Sequence, residues 1–170
     1  MRYIVLISVF FLSCNGITEP KKNSFDNSDI SFTCPDGWSI TEEDNLDGQG
    51  YYFSIEKSGF DSSGVMTLSY FYNDMNSEEL LSLYQEDMVD NVIYKNSDLA
   101  FEKKIEDENE HYTVLSSKYT FSLVGLDHHG IISTFKYKGK TFGIIKQGAI
   151  EDKEENRKGF EAIERSFTIK

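Results

Sequence analysis

The chain is poor in cysteine, with only Cys14 and Cys34 in 170 residues, and its three histidines are His111, His128 and His129. Zinc sites need separated Cys and His ligands at characteristic spacings, and no such spacing occurs here. No apolar run reaches the ~20 residues that cross a bilayer as a helix. There is no glycine-rich loop suited to cradling phosphate. The serine-bearing turn GFDSSG, 59–64, is not a nucleophile elbow, which centres its serine between glycines. Positive charge is also scarce, with 17 Lys+Arg against 29 Asp+Glu and a net charge of −12. A field of that sign repels phosphate backbones and anionic lipid, so nucleic acid is not an expected partner. Internal repeats and coiled-coil heptads are absent. What is present is aromatic: 13 Phe and 10 Tyr, placed mostly at strand and helix periods where they read as core.

The first residues carry the clearest signal. Arg2 is followed by an apolar run from Tyr3 to Leu12, broken only by Ser8. At about ten residues it fits the core of a secretory signal peptide. Small Ser13 and then Cys14 stand where the run stops, and polar residues follow at once. This resembles the lipobox of bacterial lipoproteins, read as Phe11-Leu12-Ser13-Cys14, with Phe11 standing where leucine is usual. The resemblance implies removal of residues 1–13, acylation of Cys14 with palmitate-type chains, and Cys14 as the new N-terminus. Buried acyl chains contribute about 0.8 kcal/mol per methylene, and more than one chain gives stable anchoring. The implied location is the cell envelope, on the exported side of a membrane, with the outer membrane expected. The competing reading is an ordinary cleaved signal peptide with an incidental cysteine.

Removal of 1–13 deletes Arg2 and takes the net charge to −13. Residues 14–29 are polar, contain one proline and lack apolar periodicity, so they are expected to form a lipidated N-terminus and flexible tether. Such a length reaches roughly 20 Å. Residues 30–170 are then enough for one domain with a real core. A thioether at Cys14 leaves Cys34 without a disulfide partner, as a small half-buried residue at a strand end or as a reactive thiol.

Within the domain, ISFT at 30–33 alternates, and Pro35-Asp36-Gly37 supplies turn chemistry before Trp38 restarts an extended segment. YYFSIE at 51–56 alternates as a strand. VMTLSYFY at 65–72 is apolar on both faces, which predicts a central strand covered on both sides. The period then changes: Leu80, Leu81, Tyr84, Met88 and Val92 fall at helical spacing. A helix over 77–91 follows, with Ser77 as N-cap and Glu78 and Glu79 in its first turn. Strands are predicted near 99–106, 111–124, 129–137 and 141–148, with Lys138-Gly139 as a tight hairpin turn. Phe160, Ile163 and Phe167 form the stripe of a closing helix. Strands and helices do not alternate, so the expected fold class is α+β, a mainly antiparallel sheet with segregated helices.

Three features resemble the PsbP/MOG-like fold: PDGW at Pro35–Trp38 after a first short strand, a helix of about fifteen residues after the next strand pair, and FEAIERSF at Phe160–Phe167 after a final hairpin. The resemblance implies an antiparallel sheet sandwiched by helices, and a theme of binding and assembly. It carries no functional residue, because these positions are structural.

The candidate chemical groups are few. His128 and His129 in LDHHG point to opposite faces if they lie in a strand, which prevents joint ligation of one ion, though a turn would permit it. The plainer reading is a polar hairpin turn entering the strand at Ile131. Glu43, Asn45, Asp47 and Gly48 imitate part of a calcium loop, but its twelfth position is Ser54. The acidic runs Glu106–Glu110 and Glu151–Glu155 read as a loop and a helix start. A Cys34–His128 or Cys34–His129 nucleophile pair is a further candidate. Tyr51-Tyr52 or Tyr70 with Tyr72 would suit an interface if exposed. No catalytic, cofactor or metal residue is assigned, and lipidation at Cys14 is the one site expected. The expected function is that of a membrane-anchored, non-catalytic binding or assembly module with an envelope protein partner and no cofactor. The alternative is a small secreted hydrolase or ligand carrier.

Overall fold

A computed structural model of the chain describes residues 22–60, 62–108 and 110–170. Its elements in chain order are β1 (Ser24–Asp26), β2 (Ile30–Thr33), β3 (Trp38–Asp44), β4 (Gly50–Lys57), β5 (Val65–Phe71), α1 (Ser77–Asp90), β6 (Ala100–Phe101), β7 (Ile105–Glu108), β8 (Thr113–Leu123), β9 (Leu126–Tyr137), β10 (Lys140–Ala149), α2 (Lys153–Ser166) and β11 (Thr168–Ile169). The large sheet runs β3-β4-β5-β10-β9-β8-β6, with β7 also on β8, and a small sheet runs β1-β2-β11. All these pairings are antiparallel. The expected α+β architecture is what the chain adopts.

The two-faced pattern of β5 explains the layering. Met66, Leu68 and Tyr70 are almost wholly buried on one side of the large sheet. On the other, the Ser69 hydroxyl meets the Tyr84 hydroxyl of α1. One core forms beneath α1 from Leu81, Met88, Tyr119, Phe121, Ile132 and Ile145. The second, on the opposite face, joins the large sheet to the small sheet and α2, with Phe32, Phe53, Phe142, Phe160 and Ile163 among its members. The sheet is thus covered on both faces.

Two turns set the long hairpins. Val124-Gly125 has φ of 52° and 79°, and Lys138-Gly139 has 48° and 74°. Left-handed values at both central residues twist with the flanking strands. Lys138-Gly139 is where the sequence predicts it. The turn before β9 is Val124-Gly125 rather than LDHHG, because Gly125 supplies the left-handed position and the histidines pair within the strand. The helix cap also shifts by one: Asn76 Oδ1 accepts from the Glu79 N–H at 2.9 Å, and Glu79 Oε2 accepts from the Asn76 N–H at 3.0 Å. This reciprocal box makes Ser77 the first helical residue. The strand expected over 99–106 is broken into β6 and β7, since charged Glu102, Lys103 and Lys104 interrupt its apolar residues at the sheet margin.

Of the tether expected through Asp29, the residues from Ser24 on belong to the fold instead. Ser24–Asp26 pairs with Ser31–Thr33, and Phe25 is 8% exposed with its ring 4.6 Å from that of Phe53. A three-residue strand turns one side chain inward, so it leaves no periodicity to read.

α2 lies close to the sheet because Gly159 sits on Trp38. A Cβ at Gly159 would stand 2.4 Å from indole atoms. We predict that Gly159→Ala destabilises the fold by about 1–3 kcal/mol through overpacking, read as a lower urea midpoint with unchanged m. Exposed Lys158→Ala stays within about 0.5 kcal/mol of the parent.

Candidate functional site

Cys14 lies outside the described residues. Cys34 is 6% exposed, and its backbone N–H donates to the Asn23 carbonyl at 2.7 Å. Burial pushes its thiol up to about 11, so at neutral pH it is a protonated core group. Neither the Cys34–His128 nor the Cys34–His129 pair is therefore a nucleophile couple. His128 stacks on Phe121 at 4.8 Å between ring centroids, on the α1 side of the sheet. His129, its neighbour in β9, faces the other side, and burial, then Lys153 and His128, hold it below the usual histidine range. Among the described residues no three His, Cys, Asp or Glu side chains gather as a metal ligand set.

At Glu43–Gly48 the side-chain oxygens cap their own turn. Asp44 Oδ1 accepts from the Leu46 N–H at 3.2 Å, and Asn45 Oδ1 from the Gly48 N–H at 2.7 Å. Glu43 pairs with Lys22. Of the acidic runs, Glu106–Glu108 is an exposed edge in β7, and Glu155 meets Lys57 at 3.0 Å at the start of α2.

The tyrosines form a clamp. Tyr70 is buried, and Tyr51 stacks on it at 5.4 Å. Tyr72 Oη donates to Asp29 Oδ2 at 2.6 Å, while Lys140 Nζ lies 3.1 Å from Asp29 Oδ1. The Lys170 N–H donates to the Asp29 carbonyl at 2.8 Å, and Asn27 Nδ2 donates to Tyr70 Oη at 3.0 Å. Burial alone would raise the Asp29 carboxyl, but Tyr72, Lys140 and Tyr70 together hold it below its ordinary value. A depressed carboxylate stabilises the fold above its unfolded value near 3.9, and that contribution is lost as pH falls through the folded one. Asp29→Asn is accordingly expected to cost about 2 kcal/mol at pH 7. Its deficit against the parent in urea melts should shrink below about pH 4.

The surface with binding character is one that sequence reasoning missed. The β4–β5 loop, the Val124-Gly125 turn and the end of β10 lie at the same end of the large sheet, because Ala149 pairs with His128 and Val65 with Gln147. The segment after α1 joins them through the Ser122 N–H to Ser97 carbonyl bond and the Tyr94–Phe121 ring contact. Phe60, Val124 and Val92, the three most exposed large apolar side chains among the described residues, at 104%, 95% and 81%, all stand here. Half-exposed Leu126 and Ile150 accompany them. Counting strand spacings of about 4.8 Å, the β4–β5 loop and the Val124 turn are roughly 14 Å apart, with Ile150 between them. The available signal was an apolar residue inside turn chemistry, in GFDSSG and LVGL.

This end is braced from beneath. Ser63 Oγ donates to Asp152 Oδ2 at 2.6 Å and accepts from the Ala149 N–H at 2.9 Å and Asn156 Nδ2 at 3.3 Å. Asn156 is 1% exposed. With its hydroxyl so engaged, Ser63 is a loop brace.

Comparison with known proteins bears on the fold. No protein-family model matches the chain, and no curated protein matches it in sequence. Among solved structures, cyanobacterial PsbP (CyanoP) from Synechocystis sp. PCC 6803 superposes with a TM-score of 0.61, covering 94% of this chain and 99% of that one, at 12% identity. The domain has the PsbP-like fold. A second structure similar to this PsbP-like domain is LpqN, involved in cell envelope biogenesis of Mycobacterium tuberculosis, with a TM-score of 0.55, 82% of each chain covered and 12% identity. Identity this low shows shared fold and transfers no residue roles.

Because Cys34 is buried and protonated, a thiol reagent at pH 8 should leave it unmodified in the native protein and label it fully in denaturant. Rapid labelling without denaturant would contradict the burial described.

Proposed function

We propose that the protein is a lipid-anchored, non-catalytic binding module of the cell envelope that docks a protein partner on its bare apolar sheet end. The observation that carries this reading is the grouping of Phe60, Val124 and Val92, nearly fully exposed, on one end of an otherwise well-covered sheet. Exposed apolar side chains gathered at one end of a domain suit an interaction site, and burying each such side chain is worth about 1.5–3 kcal/mol. The brace through Ser63 holds the Phe60 loop in place before binding, which lowers the ordering cost of association.

The lipobox-like Phe11–Cys14 supports an anchor at Cys14, and we place the protein on the exported side of the outer membrane. The PsbP-like neighbours, one of them involved in envelope biogenesis, agree with an envelope role. At Lys22, bridged antiparallel to Ile40, the chain runs away from the Asp44 end of β3 and toward the apolar end. An anchored Cys14 is within about 30 Å of Lys22 even with the intervening chain fully extended. This favours a module whose Asp44 end is nearer its own membrane and whose apolar end is turned to a partner. The hydrolase or carrier alternative needs a pocket holding a polar constellation. Ser63, the serine nearest that description, is consumed by its brace.

The test is a photo-crosslinker placed at Phe60 or Val124 in the native envelope, with Lys138 at the opposite end as control. A discrete protein adduct from 60 and 124 but not from 138 is expected, together with an acylated Cys14 peptide in the mass spectrum. Equal or absent adducts would overturn the docking surface. An unmodified Cys14 on a freely released protein would overturn the anchor.

A further inference from the structure

The outward side of α1 departs from the uniformly polar face expected of a surface helix. Leu80, Leu81 and Met88 point into the core, yet Leu83 and Val89 are 47% and 56% exposed on the other side. With Met75 before the helix and Phe101 of β6 they line two adjoining open grooves, and Glu86 belongs to both. From Glu78 to Asp90 the stripe is about 18 Å long at 1.5 Å per residue.

The charge on its rim is of one sign. Glu78, Glu79, Glu86 and Asp90 flank the apolar floor, and α1 contains neither lysine nor arginine. Lys104 reaches Glu78 from the neighbouring strand segment, leaving the remainder of the rim acidic. The C-terminal turn of α1 adds to this. Asp87 and Asp90 sit where the helix dipole favours cations, and the last turn holds no basic residue. Burial, and then the nearby Asp90, raise the Asp87 carboxyl above its ordinary value.

We infer that this groove receives a basic amphipathic protein segment, its apolar side chains on Leu83 and Val89 and its Lys or Arg side chains against Glu79, Glu86 and Asp90. Charge selects the occupant. An anionic lipid surface is repelled by this rim, and so is a second copy of a chain with net charge −12. An apolar floor with opposite-charge complementarity fits the helix-in-groove mode of recognition, read through anchors at i, i+3 or i+4. The inference rests on the binding-module reading but uses a different surface from the sheet end, so one domain would present two chemically distinct faces.

The experiment uses the full-length chain in phosphatidylcholine nanodiscs, with empty nanodiscs as blank, and two labelled synthetic peptides of equal lysine content. One has leucine at helical i, i+3, i+4 spacing, and the other has serine in place of leucine. Fluorescence anisotropy is expected to show the leucine peptide binding at least about tenfold tighter. Leu83→Ser with Val89→Ser, and separately Glu86→Lys with Asp90→Lys, should each weaken it by about tenfold or more. Glu151→Lys with Glu154→Lys, an exposed acidic pair around the start of α2 on the opposite face of the sheet, should leave it unchanged. Equal affinity for both peptides, or equal weakening by this α2 variant, would overturn the inference by showing diffuse charge attraction. A dimer of the chain that the peptide dissociates would also overturn it, assigning the groove to a second copy. Leu83 and Val89 are exposed, so a matching urea midpoint verifies that the serine variants fold. Failure of the parent protein to bind the leucine peptide, with intact crosslinks from Phe60 and Val124, would sink the groove alone and leave the envelope module standing.

Discussion

Everything in this domain depends on covering both faces of one antiparallel sheet whose central strands carry buried side chains on either side. β5 and β10 cannot be half-solvated without exposing Met66, Leu68, Phe142 or Ile145, each at most 7% exposed. Two helices of fourteen residues and a three-stranded sheet are the only covers among the described elements. They are just enough for the faces. The ends of the strands are left to their loops, and that is why apolar residues can stand bare at one end while the core beneath remains closed.

The cover on the α2 side is fastened by few contacts, each short in reach. Gly159 lets the helix settle on Trp38, and Asn156 with Ser63 ties the start of α2 to β5 and β10. At the opposite end Asp29 gathers the β1–β2 turn, Tyr72, Lys140 and the chain terminus. A partly buried carboxylate with several donors is costly to leave unmatched. The residues after the lipidation candidate are therefore part of the fold from Ser24 on, which shortens the connection to any anchor.

Much of this architecture was legible. The two-period alternation of 65–72 gave away a strand covered on both faces, and the stripe Leu80, Leu81, Tyr84 and Met88 set α1 within a residue. Lys138-Gly139 was readable because a two-residue turn demands left-handed backbone. The misses share one physical cause: signals too short for periodicity. β1 shows a single inward Phe25, and β6 and β7 are split by three charged residues. The proposed docking surface was harder still. A turn written LVGL or GFDSSG reveals an apolar residue in an odd place, but only the pairing register shows that Phe60, Val124 and Ile150 meet at one end. The adjacent histidines were correctly limited by strand geometry, although the turn itself belongs to Val124-Gly125.

Function follows from what the covers leave open. The apolar sheet end and the acid-rimmed groove on α1 are different in chemistry, the first carried on loops braced by Ser63 and the second on a helix. The central claim, that the bare sheet end is occupied in the envelope, is tested most directly by amide hydrogen exchange on the full-length protein in its native envelope and after extraction. The account predicts slower exchange in the envelope at 58–60 and 122–127, with no change at the Lys138-Gly139 turn. Identical exchange at 58–60 and 122–127 in the two states would contradict it.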